Sequence, residues 1–356
     1  MARYAGRKLA SEQVNQSTRR ISIPLAYLAN ERQVAIQAVE QASKLCQAVF
    51  NRLVTSETLT KKDKSPVTIA DFGAQAVVNA ILAEHFPADP IVGEEDSKDL
   101  QGDAGKEMRN KVVDLVNSVG DRPMSEAEVL QAIDRGQYAG GATGRHWTLD
   151  PIDGTKGFLR GEQYAVCLAL IVDGQVRLGV LGCPNLEQKQ GSESKGVLMV
   201  AVDGQGAFQR ALDGGAETPI RASSVSDTTQ AAFCESVESG HTSHGDSERI
   251  SALLGITKAP VRMDSQCKYA AVARGNADVY LRLPTRADYE EKIWDHAAGN
   301  VIVREAGGRV GDITGKPLDF SHGRTLAQNR GVVATSAGIF DQVVGAVQNV
   351  LGSKAV

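Results

Sequence analysis

The chain runs to 356 residues, 42% of them apolar and 23% charged, with a net charge of −4. That is enough apolar material for one large domain or two closely packed ones, and the acidic balance argues against a protein that grips a nucleic-acid backbone. Cys46, Cys167, Cys183, Cys234 and Cys267 are an odd set without Cys-x-x-Cys spacing, which argues against a zinc site or a disulfide framework and points to a reducing compartment; no apolar run approaches ~18 residues, so no membrane partner is expected.

The first 24 residues carry Arg3, Arg7, Lys8, Arg19 and Arg20 against a single acid, Glu12. This fits a solvated, flexible extension of a cytoplasmic protein, with a mitochondrial presequence as the alternative, disfavoured because the segment lacks a convincing apolar face. Residues 25–54 place Leu28, Val34, Ala35, Ala38, Ala42, Leu45, Val49 and Leu53 at helical spacing. Pro66 and the lysines before it predict a loop or short hairpin over KKDKSPVTIAD, followed by a helix from Phe72 to Phe86 and a short buried strand at Ile91-Val92. Two helices are predicted near 104–119 and 125–134, then a loop and a strand HWTLD ending at Asp150. Asp173-Gly174 and Asp203-Gly204 each mark a hairpin turn between apolar strands. From about residue 220 the pattern becomes strand–helix alternation, including a helix over IWDHAAGNVIVREAG and a terminal amphipathic helix at FDQVVGAVQNVLG. We expect an α/β chain with a basic extension over 1–24, an α+β domain over 25–186 and an α/β domain over 187–356.

Four acidic segments carry the chemistry. In LDPIDGTKGF at 149–158 a strand delivers Asp150, and Asp153 follows three residues later, with the carbonyl of Ile152 between them and Thr155 opening a helix. Hard cations such as Mg²⁺ take such oxygen ligands, and a helix start favours phosphate. Taken alone, Asp-Pro-x-Asp-Gly is also an ordinary surface turn. IVGEED at 91–96 puts Glu94 at a strand end, although an acidic loop is the commoner reading of that run. Asp71 in SPVTIAD reads on its own as an N-cap. Asp295 in IWDHAAG would lie on an apolar helix, where an unpaired carboxylate is costly and a cation is the better account.

Together these segments, as Gly-Glu-Glu, Asp-Pro-hydrophobic-Asp-Gly-Thr and Trp-Asp-x-Ala-Ala-Gly in that order, resemble the inositol-monophosphatase-like superfamily of metal-dependent phosphatases. The continuation Lys156-Gly157-Phe158, with VESGHTSHGD, MDSQCKYAAVARGNADVYLRLP and EKIWDHAAGNVIVREAGG, is similar to its eukaryotic 3′(2′),5′-bisphosphate nucleotidase branch. The resemblance implies the layered α/β (α+β) sandwich shared with fructose-1,6-bisphosphatase, and removal of the 3′-phosphate from adenosine 3′,5′-bisphosphate and from its sulfated precursor PAPS. It implies metal ligands at Glu94, Asp150, Ile152, Asp153 and Asp295 holding two or three Mg²⁺ ions. Asp71 and Thr155 match the pair that activates water, and His241, Ser265, Lys268 and Arg282 match nucleotide-binding positions, with His244 an alternative to His241. It further implies a monomer inhibited by Li⁺. An inositol-polyphosphate 1-phosphatase and a non-catalytic nucleotide sensor are the competing readings.

Overall fold

The computed structural model describes residues 27–55, 65–120, 122–237, 244–284, 286 and 288–352. Helices α1 (Ala29–Thr55) and α2 (Ser65–His85) lead into strand β1 (Ile91–Gly93), then α3 (Lys106–Val119) and α4 (Glu126–Asp134). Strand β2 (Arg145–Asp153) is followed by the short helix α5 (Thr155–Arg160) and by β3 (Ala165–Val172), β4 (Gln175–Glu187), β5 (Lys195–Val202), β6 (Gly206–Ala211) and β7 (Gly214–Ile220). The remainder runs β8 (Phe233–Glu235), α6 (His244–Leu254), β9 (Val261–Arg262), α7 (Cys267–Ala273), β10 (Val279–Arg282), α8 (Ala297–Glu305), β11 (Gly308–Gly311), β12 (Val332–Ser336) and α9 (Phe340–Gly352).

The strands form two sheets. One holds β1 to β7 in sequence order, and the other has the order β11-β12-β10-β8-β9. Three apolar clusters show how they stack. The first joins α1 to α4 with one face of the first sheet, the second joins its other face to α7, α8 and the second sheet, and the third places α6 and α9 on the outer face of that second sheet. The result is helices, sheet, helices, sheet, helices, the layered α/β sandwich expected from the sequence. The first sheet runs on to Ile220, so a division at 186/187 falls between β4 and β5 of one continuous sheet, and the change of sheet comes after β7.

Local chemistry explains most elements and three differences. The stripe predicted on α1 is the buried one, from Val34 through Val49. The loop or hairpin expected over SPVTIAD is instead the start of α2, because Pro66 sits in the first turn, where its missing N–H has no intrahelical partner to lose. Asp71 therefore lies well inside the helix and is not its N-cap. By length and composition α2 is apolar enough to cross a membrane, but most of it is buried against α1, α3, α4 and β2. Strand β2 does not end at Asp150 but continues to Asp153 through a bulge between those two residues. The helix expected over IWDHAAGNVIVREAG is broken: Ile293–Asp295 is a separate 3-10 turn, and α8 starts after it. Strands β7 and β11 were not foreseen, since GGAETPI carries two glycines and a proline and GRVG is four residues long. The five thiols are free and buried. The basic 1–24 segment lies outside the described residues.

The middle strand of the stack needs two glycines. A Cβ on Gly179 would lie 2.5 Å from Val301 Cγ1 and 2.8 Å from the Ala298 carbonyl, and one on Gly182 would lie 2.4 Å from Ser43 Oγ. Three residues apart on a strand, they face opposite sides, so β4 admits α8 on one face and α1 on the other. Gly179→Ala is expected to lower the unfolding free energy by about 2 kcal/mol through overpacking, read as a drop in the urea midpoint at constant slope. An unmoved midpoint would mean that helix and strand are less tightly apposed than this.

Candidate active site

Where the two sheets meet, a cleft of about 280 Å³ is lined by Glu94, Asp150, Ile152, Asp153 and Asp295 on its acidic side and by Ser265, Lys268 and Arg282 opposite. Thr155 lines the same cleft. Residues two hundred positions apart in sequence are brought together by packing.

Each acid is aimed by its element. On β2, Trp147 and Leu149 are buried in the helical core, so alternation sends Asp150 to the other face. The bulge after Asp150 and the left-handed Gly154 (φ 90°) then turn the chain so that Asp153 reaches the same cleft. A Cβ on Gly154 would stand 2.9 Å from that of Ser265, which explains why glycine is required at this crossing. Glu94 follows the last residue of β1, and its neighbours fix the backbone. Gln75 donates to the Glu95 carbonyl at 2.6 Å and accepts from the Glu95 N–H at 3.0 Å. Arg324, stacked on Trp294 with its guanidinium 4.8 Å from the ring centre, donates to the Gly93 carbonyl at 2.5 Å.

The opposite wall is tied to the acidic one through the turn before α7. Ser265 holds a left-handed backbone (φ 64°) unusual for a residue with a side chain. The Gln266 N–H donates to Asp153 Oδ2 at 2.5 Å. Its side chain donates to the Trp294 carbonyl at 2.7 Å and accepts from the Gly299 N–H at 2.8 Å, bracketing the turn that carries Asp295. Arg160 on α5 pairs with Asp264.

The acids repel one another. Burial raises the Asp150 carboxyl well above its usual range, and Glu94, Asp153 and Asp295 add to the effect. Glu94 opens onto the cleft, yet the protein behind it, with Asp295 and Glu95, pushes it up to about 8. Asp153 is pushed up to about 6 by burial and Asp295, opposed by Lys268, the Gln266 N–H and Arg282. Asp71 sits behind the cleft on α2, 6% exposed, and is raised by burial and by Glu94 and Glu95. Burial lowers the Lys268 ammonium, and Asp153 pulls the other way.

One oxygen of Asp71 and one of Asp150 are buried with no hydrogen-bond partner among the described residues. Unpaired buried carboxylate oxygens are costly. Among the described residues that line the cleft the candidate ligands are all oxygens, which suits a hard divalent cation. The residues present fit such an ion, and Glu94, Asp150, Asp153, Asp295 and the Ile152 carbonyl are placed to hold it.

Asp71 and Thr155, matched as the water-activating pair, share no hydrogen bond among the described residues. Thr155 Oγ1 donates instead to the Ile152 carbonyl at 3.5 Å. His241 lies outside the described residues, and His244 is the first residue of α6. Arg282 matched a nucleotide-binding position, with an exposed strand face as its other reading. It lines the cleft, but it is also ion-paired to Glu291 at 2.7 Å and lies 3.5 Å from Asp295. Glu291 is raised by burial but carried the other way, to about 2, by His296 and Arg282. Gln266, Glu291 and Tyr289 were missed by sequence reasoning. None sits in an acidic motif, and only the proximity of Gln266 to Lys268 and of Glu291 to Asp295 hinted at them.

A model of the inositol monophosphatase family matches residues 28–350. A "3′(2′),5′-bisphosphate nucleotidase" of Schizosaccharomyces pombe is 49% identical over 334 residues, covering 89% of this chain and 94% of that protein. One of Oryza sativa is 43% identical over 340 residues, covering 91% and 95%. Among solved structures, the inositol monophosphatase of Anabaena (Nostoc) sp. PCC 7120 superposes with a TM-score of 0.58 at 20% identity, covering 91% of this chain and 96% of that one. Mycobacterium tuberculosis SuhB gives 0.58 at 21%, covering 90% and 97%. The solved structures establish the fold.

Because Asp150, Asp153 and Glu94 all have raised carboxyls in the folded state, folding favours their protonated forms. That contribution is full below the unfolded carboxyl range and is lost as pH rises through about 6 for Asp153 and about 8 for Glu94. Metal-free protein is therefore expected to lose thermal stability between about pH 5 and about pH 8. Asp150→Asn, which removes a repelling charge, should raise the metal-free Tm at the upper end by roughly 2–5 °C. Calorimetry in chelator reads both, and a Tm that Asp150→Asn leaves unchanged or lowers would remove the repulsion argument.

Proposed function

The chain belongs to the inositol monophosphatase family, and from that premise we propose that it is a 3′(2′),5′-bisphosphate nucleotidase, a phosphomonoesterase that removes the 3′-phosphate of adenosine 3′,5′-bisphosphate to leave AMP and acts likewise on PAPS. Membership implies dependence on a divalent metal, which we take to be Mg²⁺, two or three ions per site, in a protein acting as a monomer. The observation that carries the reading is the cleft itself, with an all-oxygen acidic wall facing Lys268 and Arg282.

A pocket rich in carboxylates repels a bisphosphate, and a bound divalent ion reverses the local sign, polarises the phosphate and acidifies water. Glu94, Asp150, Asp153 and Asp295 supply the charge that holds it. Thr155 Oγ1 accepts the proton of the attacking water and passes its own to Asp71. This requires Thr155 to leave the Ile152 carbonyl it now contacts. Lys268 and Ser265, held by the turn that also grips Asp153, bind the 5′-phosphate that is retained, with Arg282 beside them.

Phosphate release from adenosine 3′,5′-bisphosphate, PAPS and inositol 1,4-bisphosphate, each with and without Mg²⁺, tests the reading. The nucleotides should be hydrolysed only with the metal present, and no release from any of the three would sink it. Thr155→Ala should cut kcat by about 10²-fold or more while leaving Mg²⁺ affinity near that of the unmodified protein. If the chief effect is on Mg²⁺ affinity, Thr155 is a ligand rather than a proton carrier.

A further inference from the structure

Glu291, Asp295 and His296 place ligand atoms within 4.8 Å of one another, a grouping that taken alone looks like a second cation site. Its partners already satisfy most of it. Arg282 Nε donates to Glu291 Oε2 at 2.7 Å, and His296 Nε2 stands 3.1 Å from the same oxygen. Tyr269 Oη closes on His296 Nδ1 at 2.8 Å. With the tyrosine donating to Nδ1, the imidazole donates from Nε2, so the run Tyr269–His296–Glu291–Arg282 is internally consistent with a neutral histidine. Tyr269 and His296 are fully buried, and Glu291 nearly so. A Cβ on Gly299 would come within 2.4 Å of the Tyr269 ring, so the start of α8 pins that ring in place.

Arg282 thus stands between two carboxylates. Its Nη2 makes only a long ion pair with Asp295, at 3.5 Å, while Nε is in close contact with Glu291 at 2.7 Å. Asp295 lines the acidic wall of the cleft, and a guanidinium bound squarely to it would take the lone pairs that a cation needs. We propose that Glu291 is a positioning residue that diverts the Arg282 guanidinium to itself and so leaves the Asp295 carboxylate free for the divalent ion. Tyr269 and His296 hold Glu291 where it can compete. The inference rests on the metal-binding reading of the cleft.

Isothermal titration of Mg²⁺ into the full-length, metal-stripped protein without substrate tests it, using Glu291→Gln, Glu291→Asp, Arg282→Met and the Glu291→Gln/Arg282→Met double variant, with near-ultraviolet circular dichroism establishing that each is folded. Glu291→Gln should bind Mg²⁺ about tenfold more weakly. Glu291→Asp, which keeps the charge but withdraws it by one methylene, should weaken binding in the same direction. In the Arg282→Met background, losing Glu291 should have little further effect, because no guanidinium remains to divert. Should Glu291→Gln fail to fold, Glu291→Asp carries the test alone. The proposal is overturned if Glu291→Asp binds Mg²⁺ within about twofold of the unmodified protein, or if Glu291→Gln weakens binding by the same factor with and without Arg282. An unmodified protein that binds no Mg²⁺ would instead overturn the metal reading, and this inference with it.

Discussion

Carboxylates that repel one another must be held around a single cleft, and much of the surrounding structure resists that repulsion. Asp150 is buried with one oxygen unpaired, and Asp153 and Asp295 line the same cleft of about 280 Å³. Side chains alone would rotate away from such a contact. What prevents it is that each acid is mounted on backbone that is itself fixed: a strand end, a bulge, and a 3-10 turn wedged before a buried helix.

The restraints come from outside the acidic motifs. Gln75 and Arg324 hold the segment that carries Glu94, one from α2 and the other from the loop before β12. Gln266 touches Asp153 through its backbone and brackets Asp295 through its side chain, so one buried residue sets the relation between two acids far apart in sequence. Polar groups with every partner satisfied rigidify in this way because breaking any one bond strands a buried donor or acceptor. The cationic wall is managed by the same means: Arg282 is kept near the acids without being neutralised by the one that matters most.

The close approach of α1 and α8 to opposite faces of β4 brings the second sheet within reach of the first, and with it Ser265, Lys268 and Arg282. The acidic residues of the cleft come mainly from the ends of β1 and β2, and the basic ones from α7 and β10.

Much of this was legible in the residues. Helical spacing marked α1, turn dipeptides marked the hairpins after Val172 and Val202, and the acidic positions from Glu94 to Asp295 were readable as an ordered set of motifs resembling a known family rather than one by one. The sequence could not reveal that Pro66 begins a helix rather than ending one, that the Asp295 segment breaks into a turn, or that Glu291 and Gln266 hold the site together. Local chemistry determines which residues can ligate a cation and which stretches can form helix or strand, because propensity, turn chemistry and charge act over a few neighbouring positions. Only the tertiary structure decided which distant groups touch, since a hydrogen bond such as that from Gln266 to Asp153, or the competition between Glu291 and Asp295 for one guanidinium, exists only once packing has brought the two sheets together.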